Sequence, residues 1–352
     1  MIVIHIESGL GNQMLSYCEY LSLKFANPNQ EFYIETIVFE IPECNEVICQ
    51  WNGYELEKIF GINQPKNIKT LFSEDEWAEI IQEIRTTEFW IHNWNYPVVF
   101  TEVLNRHGLH LKNVRGDFDP NHNIITGTED LRKTWKDKLR ESYLGYTARR
   151  LFLSFNEEKY AYRMDSRDKI FLRTEDDIFT GQWLKINFRG NDIHLIESEI
   201  RNTFIFPQFK NKQNEDMAEY LQSVNSIAIH ARRGDMAGTL AYCYNYGYFK
   251  RAVKYIRKHV ENPVFVFFTN PGSVEWCKEH AAIFGLDIQK DTIIFVDWNK
   301  GEDSFRDMQL MGLCKHAIVT SSSFGWWGTF FNTNPNKITI SPAIELNTTH
   351  HC

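Results

Sequence analysis

The sequence has 352 residues, of which 43% are hydrophobic and 24% are charged, a composition typical of a globular protein. This length is enough for two compact domains, each with its own hydrophobic core. The formal net charge of −8 argues against a protein whose main role is to grip a nucleic-acid backbone, although it is compatible with one local basic pocket for a phosphorylated ligand.

No segment has the pattern of a targeting signal or a membrane span. The N-terminus lacks a basic leader with an apolar stretch and a cleavage site. No window approaches the roughly 18 consecutive apolar residues of a membrane-spanning helix. The seven cysteines are scattered without a CxxC pair, which favours free thiols over a disulfide framework. We therefore expect a cytoplasmic protein without a transmembrane segment.

The chain begins with a predicted strand, turn and helix. Residues 2–6 predict a short buried strand, and residues 8–12 predict the turn that follows it. From Gln13 to Phe25 the apolar side chains recur at helical spacing, so a helix is predicted there. Such a unit is typical of the start of an α/β domain.

The region that follows gives a weaker pattern. Helices are predicted at 74–85, 129–140 and 146–163, between polar loops without a clear period. We interpret this region as an α-rich extension of the N-terminal domain, which we place at residues 1–205.

The C-terminal domain, placed at residues 206–352, alternates apolar runs with helical patterns. Strands are predicted at 226–230, 264–268, 293–296, 317–320 and 338–341. Helices are predicted near 246–260, 273–284, 303–315 and 324–332. This alternation predicts a parallel sheet covered on both faces, in which ligands bind beyond the carboxyl ends of the strands. Functional side chains are therefore expected at 230–235, 269–272, 297–299 and 321–323.

The first candidate site is the run His230-Ala231-Arg232-Arg233-Gly234-Asp235, directly after a predicted strand. An arginine at a strand end can hold two phosphate oxygens with its planar guanidinium group. Neighbouring side chains of an extended segment point to opposite sides, so we expect one arginine to face the ligand. The other can pair with a carboxylate such as Asp235. A surface salt bridge without function is the alternative interpretation.

The second candidate is the segment Thr320–Trp327, which contains three consecutive serines between a strand and a helix. Serines can cap the helix, and the first N–H groups of a helix bind pyrophosphate well. An ordinary serine cap is the alternative. Trp326 and Trp327 are interpreted as packing residues rather than catalytic ones.

The third candidate is the glycine-containing turn Gly9-Leu10-Gly11-Asn12-Gln13-Met14. It lacks the third glycine of the dinucleotide-binding fingerprint, and the chain also lacks a P-loop. The glycine next to Asn12 instead indicates a backbone that approaches a ligand closely, and the Asn12 amide is expected to hydrogen-bond that ligand. Metal-binding patterns are weak, since there is no DxD-type loop, and a frayed tail is the better interpretation of His350–Cys352.

With these segments placed, the chain resembles the α-1,2-fucosyltransferases of glycosyltransferase family 11. The HxRRxD motif shared by α-1,2- and α-1,6-fucosyltransferases corresponds to residues 230–235. The matching segments are Gly9–Met14 with Tyr17, His230–Asp235, Asp307–Met311, Cys314–His316 and Ser321–Gly328. The sequence differs from the family pattern at Thr269–Gly272 and at Thr180–Trp183.

The resemblance implies a GT-B-type architecture, with two Rossmann-like domains facing a cleft. The N-terminal domain would take mainly the acceptor, and the C-terminal domain would bind GDP-fucose. By this resemblance, His230 and Asp307 contact the guanine and Arg232 contacts the β-phosphate. The loop of Ser321, Ser322, Ser323 and Phe324 holds the pyrophosphate. Gly11 and Asn12 reach the fucose or phosphate from the opposite wall.

The implied reaction is inverting and needs no metal or other cofactor: L-fucose passes from GDP-β-L-fucose to a hydroxyl, expected to be the 2-OH of a galactoside in an oligosaccharide. Arg232, Asp235 and Asn12 are the catalytic candidates. Asp235 and Glu7 are both candidate bases, and catalysis without a dedicated base is a third alternative.

Two other functions stay open. One is a GT-B transferase for another GDP-sugar or for a protein acceptor. The other is a non-catalytic relative that binds GDP or a glycan. The expected partners are GDP-fucose and an oligosaccharide acceptor, with peripheral association with a glycan assembly pathway and no nucleic acid.

Overall fold

The computed structural model describes residues 1–47, 52–92, 94–113, 177–181, 192–233, 243–244, 247–270 and 272–342, together with isolated positions between 135 and 151. The helices predicted at 129–140 and 146–163 fall almost entirely outside these residues. So do Asp235, Pro271, Gln182 and Trp183.

The chain divides into two compact units. The first contains Met1–Asp130 and Glu158–Phe206, and the second contains Leu131–Glu157 and Pro207–Cys352. Each unit has its own five-stranded parallel sheet.

The first unit is built on the sheet order β3-β2-β1-β5-β4. Its strands are β1 (Ile2–His5), β2 (Phe32–Glu35), β3 (Lys66–Asn67), β4 (Lys112–Asn113) and β5 (Ile178–Thr180). Its helices are α1 (Leu10–Ala26), α2 (Leu56–Phe60), α3 (Glu74–Thr86), α4 (Tyr96–Arg106) and α5 (Asp192–Thr203), with short 3₁₀ turns at Ile37–Phe39, Pro42–Glu46 and Ile68–Leu71. Since β1 neighbours β2 on one side and β5 on the other, the chain changes direction across the sheet at β1, which is where α/β sheets bind ligands.

Local sequence signals explain several boundaries in this unit. Helix α3 begins with a capping box, in which the Ser73 side chain and the Glu76 side chain each bond the other residue's backbone N–H. Helix α1 starts at Leu10, three residues earlier than predicted, because Leu10 is only 4% exposed and extends the buried face of the helix. The predicted turn at residues 8–12 is therefore wrong in its second half, and Gly11 and Asn12 lie in the first turn of a helix.

The second unit is built on the sheet order β10-β9-β6-β7-β8. Its strands are β6 (Asn225–Ala231), β7 (Pro263–Thr269), β8 (Thr292–Val296), β9 (His316–Val319) and β10 (Thr339–Ile340). Its helices are α6 (Lys212–Ser223), α7 (Tyr248–His259), α8 (Val274–Glu279), α9 (Ala281–Phe284), α10 (Phe305–Leu313) and α11 (Ser323–Phe331), with a 3₁₀ turn at Gly301–Asp303.

Both faces of the second sheet are buried. Alternate residues of β7 enter two different clusters: Phe265 and Phe267 pack with residues of α7 and α9, while Val266 and Phe268 pack with residues of α6 and α10. This double burial is the reason why the strands are continuous apolar runs in the sequence.

The predicted fold class is confirmed. The chain forms two Rossmann-like α/β units with parallel sheets, the composition of a GT-B-type protein, and α3 and α4 supply helical additions in the first unit. Each strand predicted in the second unit is present to within a few residues.

Candidate functional site

The carboxyl ends of three strands in the second unit lie side by side. In the register of the sheet, His230 on β6 is level with Phe268 on β7 and with Val319 on β9. The segments that leave these strands therefore start next to one another, at residues 232, 270 and 320. The candidate segments that are far apart in the sequence thus meet at one edge of one sheet.

His230 is a buried, neutral residue at this edge, with 4% of its surface exposed. Burial, together with the nearby charge of Arg232, lowers the pKa of His230 to about 3. Its ring stacks on that of Phe324 at a centroid distance of 5.8 Å, and its Nδ1 lies 3.5 Å from Oγ1 of Thr320. The structure therefore places His230 against the first turn of α11.

The backbone that carries the two arginines is fixed by side chains from neighbouring segments. The hydroxyl of Tyr244 donates to the carbonyl oxygen of Arg232 at 2.7 Å. The backbone N–H of Arg233 donates to Oδ1 of Asn270 at 2.8 Å. Asn270 directly follows β7, so its side chain ties the end of β6 to the end of β7.

Arg233 is occupied by an aromatic contact. Its guanidinium carbon lies 3.4 Å from the centre of the Trp276 ring and 5.8 Å from that of Tyr244, a cation–π arrangement on the face of the sheet covered by α8. The backbone N–H of Arg232 donates to Oγ1 of Thr320 at 3.4 Å, which places Arg232 beside the serine segment and makes it the better candidate for a phosphate contact. Asp235, the predicted partner of one arginine, lies outside the described residues.

The serine segment leads from β9 into α11. Ser322 is the N-cap residue of α11, but its side chain makes no capping hydrogen bond, so the predicted serine cap is wrong for this residue. Ser321, Ser322 and Ser323 are all half-buried at the carboxyl edge of the sheet. The first N–H groups of α11 are the kind of donors that bind phosphate oxygens.

The paired tryptophans of α11 are packing residues, as predicted. Trp327 is fully buried and stacks on Phe331 at 5.5 Å. Trp326 meets Trp327 edge to face at 4.9 Å and stacks on Phe330 at 5.1 Å. These contacts hold α11 in place, which fixes the position of its N-terminus.

Asp307 is a half-buried carboxyl in the first turn of α10. Its Oδ1 accepts a hydrogen bond from Nδ2 of Asn299 at 2.8 Å. Burial raises the pKa of Asp307 to about 7, with a further contribution from Asp297 and against the opposing hydrogen bond from Asn299. A carboxyl group so perturbed near a strand end is typical of a functional site.

In the first unit, the end of β1 contains a buried cluster of one histidine and two glutamates. The ring of His5 bonds the carboxylate of Glu35 through Nδ1, and its Nε2 lies 3.3 Å from Oε2 of Glu7. Glu7 also accepts a hydrogen bond from the indole of Trp94 at 2.8 Å. Burial alone would lower the pKa of His5, but Glu35 and Glu7 outweigh it and raise the pKa to about 9. The histidine is therefore charged at neutral pH.

This cluster is tightly enclosed. The His5 ring stacks on Tyr96 at 3.8 Å. A Cβ atom at Gly181 would lie 2.9 Å from Cβ of His5 and 3.3 Å from the Tyr96 hydroxyl, so glycine is required there for close packing. Glu7 is a candidate base from the sequence, whereas His5 and Glu35 were not predicted, because His5 has the pattern of an ordinary residue in a buried strand.

The residues of the glycine-containing turn hold the start of α1. Ser8 has a positive φ of 67°, and Nδ2 of Asn12 donates to its Oγ at 3.1 Å. Gln13 donates to the carbonyl oxygens of Ser8 and Gly53 and accepts from the backbone N–H of Glu55. Asn12 thus supports the turn within its own unit, and its predicted ligand contact stays a prediction.

Two features are absent from the described residues, a metal-binding cluster and a membrane-spanning helix. No group of three or more histidine, cysteine, aspartate or glutamate side chains in that part of the chain is placed to hold a metal ion. Among the described helices, none is both long and apolar enough to cross a membrane.

Residues 198–348 match the model of the family described as glycosyl transferase family 11. This match lies in the C-terminal part of the chain. The matched range contains the β6 end with its arginines, the serine segment and Asp307. The resemblance predicted from the sequence motifs is therefore confirmed.

Among curated proteins, the chain is 28% identical over 179 residues to an alpha-1,2-colitosyltransferase of Escherichia coli, which covers 47% of this chain and 59% of that protein. It is 25% identical over 149 residues to galactoside alpha-(1,2)-fucosyltransferase 1 of Saimiri sciureus, which covers 39% of each. The matches thus span 59% and 39% of the lengths of these two relatives.

Among solved structures, the chain is similar to NodZ alpha-1,6-fucosyltransferase soaked with GDP-fucose, with a TM-score of 0.44 and 12% identity over 94% of this chain and 91% of that one. It is also similar to ADP-heptose lps heptosyltransferase II of E. coli, with a TM-score of 0.37 and 12% identity over 97% of this chain and 83% of that one.

Proposed function

We propose that this protein is an inverting fucosyltransferase that needs no metal. It would move L-fucose from GDP-β-L-fucose to a hydroxyl of an oligosaccharide, the 2-OH of a galactoside. The observation that supports this most is that the end of β6, which carries Arg232, lies beside the end of β9, which leads into α11, within the segment that matches family 11.

The donor half of the reaction would use the edge of the second sheet. As the bond between the anomeric carbon and the β-phosphate breaks, negative charge grows on the departing phosphate. A guanidinium and helix N–H groups that already face this charge stabilise the transition state more than the ground state. Arg232 and the first turn of α11 would fill these roles in place of a metal ion.

The neutral state of His230 fits this arrangement. A charged imidazolium next to Arg232 would repel it, and burial removes that charge. The ring supports the first turn of α11 through Phe324 and Gly325. We therefore assign His230 to the placement of the pyrophosphate loop, in addition to the guanine contact that the family resemblance implies.

The acceptor half of the reaction would need its hydroxyl proton removed as the new bond forms. Glu7 is one candidate base, since it lies just after β1, the central strand of the first sheet, and just before the helix α1 that contains Asn12. Asp235 is the other candidate base. The attack comes from the face opposite the leaving phosphate, so the product is an α-fucoside.

A second donor is favoured by one specific observation. The E. coli relative, named for colitosyl transfer, is the more similar of the two curated proteins described above. We therefore keep transfer of a colitosyl group, from the corresponding GDP-sugar, as the alternative to fucosyl transfer.

The direct test is a transfer assay in EDTA with GDP-fucose or GDP-colitose and galactoside-terminated acceptors, followed by assignment of the product linkage by NMR. We expect an α-1,2-linked fucoside and release of GDP. Arg232→Ala should lower the rate of transfer by about two to three orders of magnitude. Arg257→Ala is the matched control, because Arg257 pairs with Asp291 just before β8, at the opposite edge of the sheet. Preferred colitosyl transfer would select the alternative, and GDP binding without transfer would indicate a non-catalytic relative.

A further inference from the structure

Near the end of β8, a series of hydrogen-bonded side chains leads to Asp307, which lies in the first turn of α10. Trp298 and Asn299 directly follow this strand, and Asn214 lies in the first turn of α6. The indole of Trp298 donates to Oδ1 of Asn214 at 2.8 Å, Nδ2 of Asn214 donates to Oδ1 of Asn299 at 2.8 Å, and Nδ2 of Asn299 donates to Oδ1 of Asp307 at 2.8 Å. Asn214 is fully buried and Asn299 is 8% exposed.

Trp298 fixes the direction of these hydrogen bonds. An indole N–H can only donate, so the Asn214 atom that faces Trp298 must be the oxygen. The amide nitrogen of Asn214 then faces Asn299 and must meet an oxygen there. The amide nitrogen of Asn299 is consequently directed at Asp307. The orientation of both amides therefore follows from one tryptophan, and neither can flip without loss of a buried hydrogen bond.

This arrangement determines how the Asp307 carboxylate is held. Its Oδ1 is anchored by Asn299, and among the described residues Oδ2 accepts no hydrogen bond. The side chain is half-buried in the first turn of α10, where the helix dipole favours a negative charge. A rigid carboxylate with one anchored oxygen suits a ligand that presents two parallel N–H donors. The Watson–Crick edge of guanine, with its N1–H and its 2-amino group, is such a ligand.

We propose that Asn299, oriented by Asn214 and Trp298, is a positioning residue that directs the Asp307 carboxylate at the guanine base of the donor nucleotide. This inference rests on the proposed function, since that function supplies the GDP-sugar. Asp307 makes the contact and Asn299 acts through it. An adenine base presents an acceptor at N1 and would be rejected by the same carboxylate.

The test is calorimetric titration of GDP, IDP and 2′-deoxy-GDP. IDP lacks the 2-amino group and 2′-deoxy-GDP lacks one ribose hydroxyl, so the two analogues separate recognition of the base from recognition of the ribose. The proteins are the wild type, Asn299→Ala, Asp307→Asn and the double variant. Trp298→Phe is a milder change in the same series of hydrogen bonds. Asn332→Ala is the matched control, because Asn332 is also a buried asparagine of this unit and bonds the carbonyl oxygen of Cys314 instead.

We expect Asn299→Ala to weaken GDP binding by about 10-fold and to reduce the preference for GDP over IDP, while the penalty for 2′-deoxy-GDP stays unchanged. Trp298→Phe should have the same effect at a smaller size, and Asn332→Ala should leave the preference intact. In the double variant, Asn299→Ala should add nothing to the loss caused by Asp307→Asn, since it acts through that residue.

Four results would overturn the inference. An additive loss in the double variant would show that Asn299 acts independently of Asp307. A change in the 2′-deoxy-GDP penalty with an unchanged preference for GDP over IDP would assign Asp307 to the ribose. If the wild type binds GDP and none of these variants changes that binding, the inference is overturned and the proposed function stands. Absence of GDP binding by the wild type would overturn both.

Discussion

A Cβ atom on Gly325 would lie 2.5 Å from Nδ1 of His230, so the first turn of α11 can rest against this ring only if residue 325 is glycine. The contact joins the end of β6 to the N-terminus of α11. In the proposed function these two elements hold opposite sides of the same pyrophosphate. The glycine therefore sets how closely the two elements approach each other.

Gly325→Ala should displace the start of α11 from His230 and weaken GDP binding by about 10-fold, with a loss of stability of about 1–3 kcal/mol from overpacking. Gly312→Ala provides the comparison. Its Cβ atom would lie 3.0 Å from Cβ of Phe331, so it also crowds the α10–α11 contact, but far from His230. We expect Gly312→Ala to lower thermal stability without a change in GDP affinity measured by titration. Equal affinity losses in both variants would contradict this assignment.

The two adjacent arginines should separate catalysis from stability. Arg232→Ala should lower kcat by an amount that corresponds to about 3–4 kcal/mol, as for removal of one donor to a developing negative charge. Arg233→Ala removes the contact with Trp276 and should cost about 0.5–2 kcal/mol of folding free energy. Steady-state kinetics and denaturant unfolding of both variants check this. A kcat loss that is larger for Arg233→Ala would show that the assignment of the two side chains is reversed.

The buried His5 cluster should make the stability of the protein depend on pH. The folded pKa of about 9 lies above the ordinary value of 6.5, so the stabilisation is complete below about pH 6.5 and is lost as the pH rises through 9. The total loss is on the order of 3 kcal/mol. Urea unfolding between pH 6 and 10 measures it, with His5→Gln as the variant that removes the titrating group. If the unfolding free energy changes with pH equally in the wild type and in His5→Gln, His5 does not carry this charge.

Asp307 should make GDP binding weaken as the solution becomes acidic. With a pKa raised from 3.8 to about 7, the free carboxyl is mostly protonated at pH 6 and mostly ionised at pH 8. Only the ionised form accepts both donors of guanine, so affinity should fall as the pH drops through about 7. The raised pKa also means that the ionised carboxylate of Asp307 destabilises the folded state, and this cost is complete above about pH 7. Asp307→Asn should therefore stabilise the free protein at pH 8 by about 1 kcal/mol or more while it weakens GDP binding. A pH-independent affinity in the wild type would contradict this account.

The strands of the second unit could be predicted because both sheet faces are buried, which makes each strand an unbroken apolar run. Their parallel order then places the ends with Arg232 and Ser321 at one edge. Helix α1 shows the limit of such prediction. Its glycines suggested a turn, but the burial of Leu10 extends the helix through Gly11 and Asn12.

Local sequence patterns could not predict contacts between residues that lie far apart in the sequence. Asn214 and Asn299 are 85 positions apart, and His5 and Glu35 are 30 positions apart. No periodicity relates such pairs, since they meet only when the units have folded. Arg233 is a similar case, because its contact with Trp276 is visible only in the structure.

The measurement that tests the central claim most directly is the thermal stability of the protein in EDTA with GDP, GDP-fucose, UDP and ADP added separately, for the wild type, Arg232→Ala and Arg257→Ala. A ligand that binds only the folded state adds about 2.7 kcal/mol at 100 times its dissociation constant. We predict that the two guanine ligands alone stabilise the wild type and Arg257→Ala, and that Arg232→Ala loses the effect. Stabilisation by UDP or ADP, or by guanine ligands only after a metal ion is added, would contradict the proposed function.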